Sequence, residues 1–163
     1  MRKPYIRKDV VKMKAKNLLK ECKVRKPPVN LDFLAERLGI EVHYCDLPNI
    51  DFSLSVKAKG RYIIIVQLSG NYGRDRWSLA HELGHIVLNH YDLYNLDTIY
   101  VDRLNEEDRY ILDREADIFA KELLMPGEWV LPKISASTDD LMDVFEVSRT
   151  AMEVRLNELC TSK

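Results

Sequence analysis

A chain of 163 residues, 46% hydrophobic and 31% charged, holds enough apolar material for the core of one domain and too little length for several. Its net charge of -1 gives no global pull toward nucleic acid, and its longest aliphatic run, residues 63–66, is far too short to cross a bilayer. The cysteines Cys22, Cys45 and Cys160 are odd in number and lack ligand spacing, which excludes a disulfide framework and predicts reduced thiols in a soluble cytoplasmic protein.

The charge is unevenly spread. Residues 1–27 carry eleven Lys/Arg against Asp9 and Glu21, whereas residues 92–143 carry fourteen Asp/Glu against five Lys/Arg. Two solvated faces of opposite sign account for this pattern. The basic start is followed by no apolar signal core.

Taken in order, residues 8–24 place Val11, Ala15, Leu18, Leu19 and Cys22 on one stripe, with lysines opposite, and predict an amphipathic helix that stops at Pro27-Pro28. Asn30 can cap a short helix over 31–38, closed by Gly39. Residues 40–45 alternate as a half-buried strand. Residues 52–58 and 61–68 read as two strands of a hairpin joined at Lys59-Gly60. A polar turn over 69–73 leads to a helix from about residue 74 to 89. Residues 91–104 look irregular, with Tyr91, Tyr94 and Tyr100 among acidic and amide residues. A strong helix over 106–124 ends at Met125-Pro126-Gly127. Two short helices follow, one from Thr138 or Asp139 to Phe145, the other capped by Ser148 and running to Leu159.

The helix over 74–89 carries the chemistry. It contains His81-Glu82-Leu83-Gly84-His85, the H-E-x-x-H pattern. Histidines at i and i+4 leave one helix face about a turn apart and can fill two corners of a tetrahedral zinc site. Glu82 can face water at the open corner and is the expected general base of a hydrolase. The flanks Leu79, Ala80, Leu83, Ile86, Val87 and Leu88 suit a buried helix. Unpaired polar groups are costly there, so the three polar residues need a purpose. Gly84 is a poor interior helix residue, explained if another element approaches closely.

A catalytic zinc site needs a third protein ligand. The helix over 106–124 offers Asp113, Glu115 and Asp117 beside an apolar stripe of Ala116, Phe119, Ala120, Leu123 and Leu124. At about 100° per residue, Asp113 lies nearer the stripe's centre than Glu115, which falls on the far shoulder. Asp113 is therefore the preferred ligand and Glu115 the alternative. Asp117, one turn on, is placed to accept an N–H from a ligand histidine. Candidates for stabilising an oxyanion are His90, Tyr91, Tyr94 and Arg114.

With these residues in view, the sequence resembles the ImmA/IrrE family of small metallopeptidases. The segments PVNLDFLAERLGIEV, RWSLAHELGHIVL, READIFAKELLMP and VFEVSRTAMEVRLNEL follow one another in the family's order, with the hairpin between the first two. H-E-x-x-H is shared by many peptidases; its pairing with E-A-D-x-F-A-x-x-L-L-M-P is much more specific. The resemblance implies an α+β, zincin-like fold, with a short, mostly antiparallel sheet, the H-E-x-x-H helix packed against it, and helix-turn-helix-like helices at the end. Residues 1–130 are then the metallopeptidase domain with its basic N-terminal helix, and 131–163 a small helical region packed on it. His81 and His85 are the implied zinc ligands and Glu82 the base. The family's third ligand is usually a glutamate, at the position that Asp113 holds here.

The implied function is zinc-dependent cleavage of a helix-turn-helix transcriptional repressor of a phage, a mobile element or a stress regulon, relieving repression. The alternative is a non-catalytic antirepressor that binds a repressor and uses zinc structurally. Direct nucleic-acid binding is not expected, because the terminal helices offer only Arg149 and Arg155 to phosphates. The strand over 61–68 would accept substrate as an added strand if its edge were free.

Overall fold

A computed structural model describes residues 5–97 and 104–161. It has eight α-helices and three strands among these residues: α1 (Lys8–Glu21), α2 (Leu31–Arg37), β1 (Glu41–Cys45), β2 (Leu54–Ala58), β3 (Arg61–Gln67), α3 (Tyr72–Val87), α4 (His90–Leu93), α5 (Glu106–Leu124), α6 (Gly127–Val130), α7 (Thr138–Phe145) and α8 (Arg149–Thr161). The mixed α+β class is as expected. The expected Tyr100 loop position lies outside the described residues.

The sheet has the order β1-β3-β2. β2 and β3 form the hairpin, antiparallel with Leu54 opposite Ile65 and Ala58 opposite Arg61. β1 lies on the other side of β3 and is parallel to it, with Val42 beside Ile64. The sheet is thus evenly mixed rather than mostly antiparallel. The cause is that β1 and β2, which run in opposite directions, are not neighbours: β3 takes the place between them and so runs parallel to β1. β3 is consequently the central strand, and the expectation that its edge could take a substrate strand is corrected.

Ile64 and Val66 of β3 are fully buried and meet Leu79, Ala80 and Leu83 of α3 in one core. α5 packs along α3, and α1 packs on another side of α5. The stripe of α1 is Val11, Ala15, Leu18 and Leu19, all buried, as its spacing predicts. Leu141, Phe145, Val147 and Met152, from α7, α8 and the turn between them, join the same core. A Cβ on Gly73 would come within 2.5 Å of the Ser148 backbone nitrogen, so only glycine lets the start of α3 touch that turn. Arg155, 4% exposed, donates to the Met125 carbonyl and to Glu122, and Arg149 pairs with Asp139. Arg155 is thus held in the interior, whereas Arg149 lies at the surface.

Polar caps set the helix ends that matter for the site. Asn71 accepts from the Arg74 N–H at 3.0 Å and starts α3 two residues earlier than expected. Asn89 adopts a left-handed conformation (φ +62°), which asparagine tolerates, and restarts the chain as α4. This short helix was read as irregular from the sequence. It matters because it turns His90 and Tyr91 inward.

Candidate metal centre

α3 and α5 lie close because both are notched. A Cβ on Gly84 would sit 3.2 Å from the Ala116 Cα and 3.1 Å from the Phe119 ring. The glycine that a helix interior disfavours is thus the one that lets α5 approach. That approach brings Asp113, half-exposed on α5, over the two histidines of α3.

His81 Nε2 and His85 Nε2 are 3.0 Å apart, and Asp113 Oδ1 is 3.9 and 3.7 Å from them. These three atoms form a triangle able to hold a metal ion. Ligands about 2.0–2.1 Å from a tetrahedral metal lie roughly 3.3 Å from one another, which the triangle's mean edge approaches. Two neutral imidazoles and one carboxylate are a fitting donor set for zinc. The close approach of the helices brings the Asp113 carboxylate within 3.7–3.9 Å of the two histidine nitrogens.

His81 Nδ1 lies 2.9 Å from Asp117 Oδ1, the partnership that the i, i+4 spacing on α5 predicts. Burial opposes the charged form of His81, but the hydrogen bond to Asp117 and the charges of Glu82, Asp117 and Asp113 outweigh it and raise its pKa. His85 is buried beside His81 and His90, and burial first, then those two neighbours, push its pKa well below the usual histidine range. A neutral imidazole is the form that binds metal.

Glu115 is corrected as the alternative ligand. It is 1% exposed and turned away from the triangle. Its carboxylate accepts from the Arg7 backbone N–H at 2.7 Å and guanidinium at 2.5–3.2 Å, and meets His90 Nε2 at 3.0 Å. Despite the cost of burial, the His90 and Arg7 hydrogen bonds bring its pKa down to about 2. The burial of this far shoulder is not evident from the sequence because the packing of α1 against it has no local signature in the sequence of α5.

Glu82, also buried, accepts a hydrogen bond from the Ser55 hydroxyl, which in turn accepts from the Tyr91 hydroxyl at 2.6 Å. Burial is the main reason its pKa rises to about 7, against the opposing pull of His81 and Ser55. Ser55 was missed. It falls between Leu54 and Val56, so apolar alternation puts it on the face opposite theirs, and nothing in the sequence marks that face as inward or Ser55 as a partner of Glu82. A cleft of about 390 Å³ opens over these groups, lined by Ser53, Leu54, Ser55, Glu82, Arg109 and the donor triangle, with Asp117 at its side.

The oxyanion candidates fall elsewhere. His90 is fully buried behind His85, Tyr91 is bonded to Ser55, Tyr94 packs in a small cluster with Tyr91 and Leu96, and Arg114 sits 3.6 Å from Asp117. None lines the cleft; Arg109, one turn before Asp113, is its cationic side chain.

Residues 35–157 match the peptidase M78 family, described as the IrrE N-terminal-like domain. Among solved structures, a Mycobacterium tuberculosis transcriptional regulator is similar in fold, with a TM-score of 0.61 at 20% identity over 93% of this chain and 47% of that one. The chain thus spans about half the length of that protein. No curated protein matches the chain.

Proposed function

The chain belongs to the peptidase M78 family, that of the IrrE N-terminal-like domain, and from that membership we propose that it is a zinc-dependent endopeptidase. Its substrate is a helix-turn-helix transcriptional repressor, and hydrolysis of one peptide bond relieves repression in the cytoplasm. The observation that carries this reading is a buried carboxylate, Glu82, beside an open triangle of His81, His85 and Asp113 in one cleft. A purely structural site has no use for that carboxylate. The repressor as substrate follows from the family resemblance of the ordered sequence segments.

Zinc held by His81, His85 and Asp113, with Asp117 orienting His81, would supply Lewis acidity toward a water and a carbonyl oxygen. Glu82 removes a proton from the attacking water and returns it to the leaving amine. Burial raises its pKa above the usual carboxylate range, which favours a group that can take up a proton. Ser55 and Tyr91 hold the Glu82 carboxylate in place.

β2 is the edge strand beside the cleft. Its Lys57 N–H pairs with the Asp97 carbonyl at 2.7 Å, so Ser55, which alternates in phase with Lys57, presents its backbone toward the same outer edge. A substrate strand adds there, next to the donor triangle. Prolines placed through the cleavage segment should then block cutting; cleavage that tolerates them would sink this mode of docking.

Membrane association forms no part of the proposal, since no helix among the described residues is long and apolar enough to span a bilayer. Residues 1–130 act as the peptidase unit and 131–163 as a region packed on it. Co-expression with helix-turn-helix repressors, comparing the wild type with Glu82→Gln, tests the function. Repressor fragments with the wild type alone establish the peptidase. A stable complex without fragments from either, at full zinc occupancy, identifies an antirepressor instead.

A further inference from the structure

The two histidines of the triangle are supported differently, and the support of His85 reaches the beginning of the chain. His85 turns Nε2 toward Asp113 and His81, and its Nδ1 lies 2.9 Å from Nδ1 of His90. His90, 0% exposed, places its Nε2 3.0 Å from Glu115 Oε2. Glu115 is clasped by the backbone N–H and guanidinium of Arg7, just before α1. Arg7 lies outside residues 35–157, the part of the chain that matches the family.

Hydrogen-bond parity gives this chain a direction. Glu115, paired with a guanidinium, is an acceptor only. His90 must therefore donate from Nε2, and a neutral imidazole that donates from one nitrogen accepts at the other. His90 Nδ1 can face His85 Nδ1 only if His85 carries its proton there. That leaves the lone pair of His85 on Nε2, the atom in the donor triangle. We propose that Arg7, Glu115 and His90 are positioning residues that fix His85 in the tautomer a metal ligand needs, so that the segment before α1 sets the metal affinity of the site. The proposal rests on the zinc reading above.

The test uses the full chain, with zinc affinity read by competition against a chromophoric chelator and His85 tautomer read from imidazole 15N shifts of the metal-free protein. The wild type should bind zinc in a His81-dependent way, and His85 should show Nδ1–H. His90→Leu should lose about 10–100-fold in zinc affinity, as loss of a ligand's hydrogen-bond partner generally does, and should lose the single tautomer. His90→Gln, whose carboxamide can accept from His85 and donate to Glu115, should recover most of both. Arg7→Ala should weaken zinc binding in the same direction. Zinc affinity within twofold of wild type in both His90→Leu and Arg7→Ala would overturn the proposal while leaving the zinc reading intact. A wild type that binds no zinc overturns the reading itself. Should the variants fail to fold, the wild-type tautomer decides alone: a His85 proton on Nε2 overturns the proposal, and one on Nδ1 supports it.

Discussion

The two sides of the donor triangle solve one problem by different means. On the open side, His81 is oriented in a single step by Asp117, a carboxylate whose side chain is 35% exposed and which also meets Arg114. On the closed side, His85 is oriented through His90, Glu115 and Arg7, with Glu115 and His90 almost wholly buried. The open side couples the site to solvent and to the cleft. The closed side couples it to the core and to the docking of α1. Disturbing the first should act mainly on the metal; disturbing the second should affect metal and fold together.

The largest expected effect separates these two cases. Arg7→Ala strands the Glu115 charge in the interior, and an uncompensated buried charge costs about 3–5 kcal/mol. With Arg7 itself partly exposed (28%), the loss should fall near the lower end. Asp117→Asn removes a half-exposed partner and should cost about 1 kcal/mol or less. Denaturant unfolding of the metal-free proteins measures both. Equal losses would show that the two sides are not distinct.

Acid should act on the closed side as well. Glu115 has its folded-state pKa lowered from 4.5 to about 2. A depressed carboxylate stabilises the fold above its unfolded pKa, and that contribution fades as pH falls through the window from about 4.5 to about 2. Metal-free wild type should therefore lose stability across this window, and Glu115→Gln, already weaker at neutral pH, should lose less. A Glu115→Gln stability curve parallel to wild type below pH 5 would refute the assignment.

The seam between the sides is the contact of α3 with α5. On an exposed helix Gly84→Ala would gain about 1 kcal/mol. Here the new Cβ meets Ala116 and Phe119 at 3.1–3.2 Å, with backbone on one side and a packed ring on the other. Overpacking of this kind costs about 1–3 kcal/mol, so the net change should be a loss. Thermal unfolding would show it, and a stabilised variant would mean that the helices can part without cost.

The open side was legible in the sequence and the closed side was not, for a physical reason. H-E-x-x-H and the phase of Asp113 and Asp117 on α5 are local helical regularities, and helix spacing alone brings them to one cleft. Glu115 was misread because its partner Arg7 is 108 residues away, and nothing in the sequence of α5 announces α1. His90 and Tyr91 were weighed for the wrong role because the left-handed turn at Asn89 hid a short helix that points them inward. Ser55 was missed because a serine in a strand carries no motif. The central place of β3 was missed because strand order depends on where β1 docks, which the hairpin does not encode.

The smallest effect sharpens the comparison at the triangle itself. Asp113 belongs to the open side, and its side chain is 49% exposed. A glutamate there would add one methylene in a place with room to move. If the close approach of α5 at Gly84 already brings a carboxylate into range, the longer chain has nothing to gain. The separations of 3.7 and 3.9 Å from the two histidine nitrogens are near those of a tetrahedral donor set. Asp113→Glu should then change zinc affinity by less than about threefold, under about 0.7 kcal/mol. A tenfold gain would mean that the aspartate falls short of the metal and that the narrow α3–α5 spacing serves packing instead of ligation. Asp113→Asn provides the scale, because a carboxamide of equal length should weaken binding far more than glutamate changes it.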